Sequence, residues 1–367
     1  GIAAYREALA RVERDPASVR RLARRLFEQV FAPVLPLLGG RDSLFVAPDG
    51  RLNLIPFEVL RGPDGRYLIE TFAVRYLTCG RDVLGGGGGA PGSGPPVLMG
   101  DPDFDLGGEE GGADKDALEG ARFSGGWLRG VPFDRLPGSR EEVLAVGGIL
   151  AQDRPRLYLG AEALEEVLLD LKQPGPRILH LATHGFFLGG TGSSGGGERG
   201  LGVVGSEGEP PFPPSVPAME DPLLRSGLAL AGANRSLEAG VREGDGILTA
   251  EEILGLDLEG TELVVLSACE TGVGRVTAGQ GVYGLRRAFL GAGARGLVMS
   301  LWSVPDRETR ELMEAFYRNL VVERMGRARA LRQAVLGELD RVRRRYGWAD
   351  PFYWGGFVFL GRPERGG

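Results

Sequence analysis

Cysteine, histidine and lysine are almost missing from this chain. Its 367 residues include two cysteines, Cys79 and Cys269, and two histidines, His180 and His184. Of 43 basic residues, only Lys115 and Lys172 are lysines, a skew that reads as coding bias. Two cysteines exclude a disulfide framework and a cysteine-rich zinc site. Two histidines with no acid beside them give no metal-ligand set, so neither metal nor cofactor is expected. No apolar run reaches the ~20 residues of a membrane span, and no signal peptide is visible. A reducing, cytoplasmic setting away from membranes is the expectation. The net charge of −6 and the lack of a Lys/Arg cluster on any helix face argue against direct contact with nucleic acid. A phosphate loop is excluded too: neither lysine follows glycine, and Gly272-Val273-Gly274-Arg275 lacks the third glycine of a dinucleotide fingerprint. The chain opens at Gly1 with no initiator methionine, as a piece of a longer protein would. No repeat of 20 to 50 residues is present.

Glycine is abundant, at 62 residues, and concentrates in tracts that separate patterned segments. Residues 1–38 read as a helix with Val19, Leu22, Leu26 and Val30 on one stripe, ended by Pro33 and Pro36. Residues 43–76 read as short strands with turns at 48–50 and 63–65. Together, 1–84 form a smaller N-terminal helix-plus-strand region. Residues 85–96 are a Gly/Pro-rich linker, and 188–216 a Gly/Ser/Glu/Pro loop. Strand patterns fall at 97–100, 156–159, 177–183, 263–268, 296–302 and 356–360, with an extended stretch at 223–230. Helical patterns fall at 139–150, 162–171, 250–254, 280–290, 308–320 and 328–345. Ser139 with Glu142, and Thr249 with Glu252, read as capping boxes. Strands alternating with helices predict an α/β fold over 97–367, a mostly parallel sheet with helices on both faces.

Two of these strands end in reactive side chains followed closely by glycine. Ile178-Leu179-His180-Leu181-Ala182-Thr183 delivers His184-Gly185. Leu263-Val264-Val265-Leu266-Ser267-Ala268 delivers Cys269-Glu270-Thr271-Gly272. Ligands of open α/β sheets bind beyond the carboxyl ends of the strands. An imidazole and a thiol at that rim have the layout of a cysteine nucleophile with its base. His180 lies four residues before His184. It reads as a buried core group tied to backbone or a neighbouring strand, and Cys79 as a structural or incidental thiol.

The motif pair HLATHG and LSACETG resembles the CHAT domain, a bacterial branch of the caspase-like (clan CD) cysteine peptidases that includes separase. The resemblance extends through Leu54-Ile55-Pro56-Phe57-Glu58, Gly100-Asp101-Pro102-Asp103-Phe104, Asp245-Gly246-Ile247-Leu248-Thr249, Gly281-Val282-Tyr283-Gly284 and Ser300-Leu301-Trp302-Ser303-Val304-Pro305-Asp306. Gln280 stands where the family commonly has an acid. The resemblance implies a caspase-like fold and a cysteine endopeptidase acting on protein or peptide substrates. It implies Cys269 as nucleophile, His184 as general acid/base oriented by a backbone carbonyl, and the N–H groups of Gly185 and Cys269 as oxyanion hole. It also implies a primary pocket drawn from the ends of the first, fourth and fifth strands, here Asp101, Asp103, Ser267, Ser303 and Asp306. Those acids favour a basic P1 residue held by Asp101 or Asp306. Against the pocket reading stands a plainer one, in which Asp101 caps a turn and Asp306 caps the helix near Glu308. Such domains often follow helical repeat arrays, so a regulatory partner or an N-terminal repeat array is expected. The alternative reading is a latent caspase-like scaffold that binds partners without cutting, gated by 85–96 and 188–216.

Overall fold

Strands with apolar residues at consecutive positions need cover on both faces, and the sheet they build dictates everything around it. In this computed structural model the described residues are 1–11, 13–84, 94–106, 133–171, 173–187, 223, 226–235, 244–267, 276–277, 281–282 and 284–361. Most of the expected linker, the 188–216 loop, Cys269 and Gln280 lie outside them. The strands are β1 (Ser43–Val46), β2 (Ala73–Tyr76), β3 (Val97–Pro102), β4 (Arg156–Gly160), β5 (Ile178–Ala182), β6 (Gly185–Phe187), β7 (Ser226–Ala229), β8 (Ile247–Thr249), β9 (Leu263–Leu266), β10 (Val276–Thr277), β11 (Gly281–Val282), β12 (Gly296–Ser300) and β13 (Phe357–Gly361). The α-helices are α1 (Ile2–Ala10), α2 (Pro16–Leu26), α3 (Pro137–Ile149), α4 (Glu166–Leu169), α5 (Ala250–Gly255), α6 (Leu285–Gly291), α7 (Asp306–Tyr317), α8 (Arg327–Tyr346) and α9 (Pro351–Trp354).

Eight strands form one sheet in the order β1-β2-β13-β12-β9-β5-β3-β4. Five of them, β4, β3, β5, β9 and β12, are parallel; β13 turns against β12, and β2 and β1 run parallel to β13. The expected mostly parallel α/β sheet is therefore present, and the N-terminal region supplies its far edge. Every residue of β3, β5, β9, β12 and β13 is buried. Helices α3, α7 and α8 pack in series against the sheet, while α5 and α6 pair with each other beside β12. A second, three-stranded sheet, β6-β7-β8, leaves the main one where β5 ends.

Several element boundaries differ from the pattern reading, each for a local reason. The first helix is two, because Pro16 cannot sit inside a helix and Asp15 caps a new start, accepting from the N–H groups of Ala17 and Ser18. The Ser139/Glu142 capping box does not form. Helix α3 begins at Pro137, Ser139 Oγ bonds the Leu136 carbonyl, and Glu142 turns inward. The Thr249/Glu252 box does form. The 162–171 helix shrinks to the single turn α4, and α6 starts at Leu285. Helix α7 begins at Asp306 itself, with no side-chain cap, so Asp306 does not cap a helix at Glu308.

A buried carboxyl joins the N-terminal region to α6. Tyr76 OH donates to Glu58 Oε2 at 2.5 Å, and the Phe57 N–H donates to the same hydroxyl at 2.6 Å. Arg286, also buried, bonds Asn53 at 3.2 Å. Burial raises the Glu58 pKa to about 7, against the opposing pull of Tyr76 and Arg286. The folded state therefore holds a proton that the unfolded chain releases near pH 4.5. Stability is full below that value and declines as pH climbs to about 7. A tenfold difference in proton affinity between the two states is worth ~1.4 kcal/mol. Denaturant midpoints at about pH 5 and pH 8, on either side of the folded-state value, are expected to differ, with Glu58→Gln narrowing the gap. An equal gap in both proteins would remove Glu58 as its source.

Candidate active site

Among the five parallel strands the spatial order is second, first, third, fourth, fifth, so the order reverses between β3 and β5. The carboxyl ends of open α/β strands at such a point form the natural crevice. Strand β5 leads there through Thr183 to His184. Thr183 Oγ1 donates to the Ala229 carbonyl, and the Ala229 N–H donates to the His184 carbonyl at 2.9 Å. The backbone on either side of the imidazole is thus tied to β7. Gly185 opens β6 and pairs with Leu228.

The His184 ring is held as firmly. Its Nε2 lies 2.9 Å from the carbonyl oxygen of Asp134. A carbonyl only accepts, so Nε2 carries the hydrogen and Nδ1 keeps the lone pair. The rings of Phe104 and Phe133 flank it, with centroids 5.4 and 5.7 Å away. Burial pulls the His184 pKa below its usual 6.5, outweighing Asp134 and Asp306, which act to raise it. The group is consequently a neutral base at neutral pH.

Beside it lies a cleft enclosing about 430 Å³, part of it open to solvent. Ser139, Glu142, Thr183, Ser267, Ser300 and Asp306 line it, with no basic residue among the described residues of its wall. Asp306 is exposed at its rim. Gly138 packs closely on it: a Cβ at that position would stand 2.6 Å from Asp306 Cβ, so Asp306 would have to shift. Of the five expected pocket residues, Ser267 and Asp306 reach the cleft, and Asp101, Asp103 and Ser303 do not. Asp101 is 2% exposed and turned to Arg135, which bonds both its oxygens, at 3.1 and 2.8 Å. Asp103 lies in the turn after β3, its Oδ1 accepting from the Asp105 N–H. Ser303 is exposed beyond β12.

The floor of the cleft is a buried polar chain. Ser267 Oγ donates to Glu142 Oε2 at 2.9 Å, Glu142 Oε1 lies 3.2 Å from His180 Nε2, and His180 Nδ1 lies 3.1 Å from Tyr317 OH. His180 is fully buried as expected, but its partners are side chains from α3 and α7, not backbone or a neighbouring strand. Both faces of β5 are covered, and polar side chains of these helices reach in. Ser267 is held from the other side by its N–H, which donates to the Leu181 carbonyl at 2.9 Å. Leu181 pairs with Leu266 across the β5–β9 ladder. The next residues, Ala268 and Cys269, lie outside the described residues.

Residues 20–362 match the family model of the CHAT domain. This chain belongs to the CHAT domain family. Tetratricopeptide repeat protein 28 of Mus musculus is 38% identical to it over 116 residues, covering 31% of this CHAT chain and 4% of the relative. The Homo sapiens protein of that name is 37% identical over 116 residues, with the same coverage. These relatives are mammalian, and the match spans a small part of their length. Among solved structures, the Saccharomyces cerevisiae separase–securin complex is similar with a TM-score of 0.48 and 11% identity, covering 87% of this chain and 15% of the other. The Arg-specific cysteine proteinase gingipain R is similar with a TM-score of 0.49 and 7% identity, covering 95% and 68%.

In this CHAT chain the motif residues were legible, and the groups that serve them were not. Glu142 carries a capping-box signature that hides its inward role. Asp134 contributes only a backbone carbonyl, which any residue type supplies. Arg135 and Tyr317 carry no signal of their own in the sequence. Cys79 is exposed. Among the described residues no cluster of three or more His, Cys, Asp or Glu stands close enough to hold a metal ion, and no helix is long and apolar enough to cross a membrane.

Proposed function

We propose that this chain is a cysteine endopeptidase domain, with Cys269 as nucleophile and His184 as general acid and base. The observation that carries this reading is the β5–β9 register. Leu181 pairs with Leu266, and in the sequence His184 and Cys269 each follow three residues later, past the ends of β5 and β9. Equal steps along parallel neighbours ~4.8 Å apart bring two side chains to one rim.

The chemistry follows from that pairing. Neutral His184 takes the Cys269 thiol proton, and the thiolate attacks a peptide carbonyl while the N–H groups of Gly185 and Cys269 take the oxyanion. Imidazolium at His184 gives its proton to the departing amine, leaving a thioester. Water, deprotonated by His184, then releases the acid and restores the thiol. With Nε2–H held by Asp134, the proton moves through Nδ1. An acid-lined cleft with no basic residue among its described residues favours a basic P1 side chain, with Asp306 as its counter-charge. Asp101 is already paired, so the preference is assigned to Asp306. Residues 1–84 belong to the same module as 97–367, since β1 and β2 complete its sheet. The name of the mammalian relatives supports a tetratricopeptide-type array elsewhere in the full protein, recruiting substrate or relaying a signal in the cytoplasm.

Fluorogenic peptides with Arg, Lys, Asp or Leu at P1, given to wild type, Cys269→Ala and Asp306→Asn, test the proposal. Cleavage is expected after Arg and Lys, to vanish in Cys269→Ala, and to lose its basic preference in Asp306→Asn. Equal cleavage by Cys269→Ala would defeat the nucleophile. Indifference of wild type to P1 charge would defeat the pocket. A wild type that cleaves nothing returns the domain to a binding scaffold.

A further inference from the structure

Asp101 is an unusual residue to find where it stands. Its carboxylate is buried, its φ is 48°, a left-handed value that non-glycine residues rarely adopt, and it does not reach the cleft. Strained backbone with a buried charge persists only where the surroundings hold it. The surroundings are Arg135 on both oxygens, Arg140 at 3.6 Å from Oδ2, and Ser139 Oγ accepting the Asp101 N–H at 2.7 Å.

Arg135 belongs to a short strap in which consecutive residues are each fixed. The Phe133 N–H donates to Asn234 Oδ1 at 2.7 Å, and Asn234 Nδ2 donates back to the Phe133 carbonyl at 3.1 Å. Asp134 offers its carbonyl to His184, and Arg135 locks onto Asp101. The strap therefore holds the imidazole between two anchors, Asn234 before Asp134 and Asp101 after it.

We propose that Asp101 and Arg135 are positioning residues, an ion-pair clamp that sets the Asp134 carbonyl and so fixes the tautomer and orientation of His184. The proposal rests on His184 as the acid/base group of the reading above. Planar, bidentate pairing gives direction as well as charge, which is why Arg suits a clamp. Arg140 serves as the internal control. It faces the same carboxylate from α3 and is not part of the strap. The charged groups acting on His184 are Asp134 and Asp306; those acting on Asp101 are Arg135 and Arg140.

The chain's two histidines make the test direct. With 15N-labelled histidine, His184→Ala assigns the two imidazoles. Wild-type His184 is expected as a single Nε2–H tautomer. Arg135→Ala is expected to show mixed tautomers and to lose about 10- to 100-fold in kcat on an Arg-P1 peptide, the usual cost of a misplaced group. KM is expected to move less than about threefold, because no binding contact is removed. Arg135→Lys should recover part of the loss, and Arg140→Ala, which leaves the bidentate Arg135–Asp101 pair in place, should move both readouts far less than Arg135→Ala. An unaltered tautomer in Arg135→Ala overturns the clamp, as does an equal effect from Arg140→Ala. If wild type cleaves no peptide, the peptidase reading fails separately, and the tautomer measurement alone decides the clamp.

Discussion

Replacing His184 with alanine is expected to lower kcat for peptide hydrolysis by ~10²–10⁴, the range for removing a general acid or base. The effect should fall on kcat more than on KM, because the imidazole lies beside the cleft and is not one of the side chains lining it. The pH dependence supplies a second check. Burial depresses the His184 pKa below 6.5, so the neutral imidazole persists into mildly acidic solution. In Cys269→Ala, where no thiolate is present to stabilise imidazolium, NMR titration should place the His184 midpoint below that value. A midpoint above it would mean that Asp134 and Asp306 outweigh burial. A His184→Ala variant with undiminished kcat would remove the residue from the mechanism.

The second large effect is on stability. Glu142 is 3% exposed and stands between Ser267 Oγ and His180 Nε2, both buried. Glu142→Ala removes the acceptor of one and the counterpart of the other. Ser267 loses its hydrogen-bond acceptor, while His180 Nε2 makes no hydrogen bond to Glu142, so a loss of about 1–3 kcal/mol, the cost of one orphaned buried polar group, is expected. Glu142→Gln retains one oxygen and the side-chain volume, and should lose less. Urea midpoints measure both. A Glu142→Ala protein within about 0.5 kcal/mol of wild type, the ordinary surface-substitution range, would show that the chain from Tyr317 to Ser267 contributes nothing to stability. Glu142→Ala should also disturb catalysis, since Ser267 lies two residues before Cys269, whereas Glu58→Gln, at a residue that does not line the cleft, should not.

Much of the framework was readable before any coordinates. Near-continuous apolar runs identified β5, β9 and β12, because a strand covered on both faces tolerates apolar residues at nearly every position. Thr249 with Glu252 formed the box its spacing promised. Ser139 with Glu142 has the same spacing and formed none, because Asp101, His180 and Ser267 offered those side chains better partners than the helix N-terminus did. Local pattern prevails where nothing distant competes for the same atoms.

The acids expected in the pocket divide on the same principle. The order of residues puts Asp101 at the end of β3 and Asp306 in the segment after β12, and it cannot show which one a distant arginine has claimed. Arg135 lies 34 residues from Asp101, and the pair arises from how α3 packs on β3.

The order of residues alone determined a mostly parallel α/β sheet and membership of a family recognisable by the motifs around His184 and Cys269. Periodicity and short motifs are properties of neighbouring residues, so they survive in one dimension. Only the tertiary structure decided that Asp134 orients His184, that Asp101 is bound and Asp306 is not part of that pair, and that Glu142 underlies the cleft. Each of those outcomes depends on groups separated by 34 to 137 positions along the chain that only folding brings together.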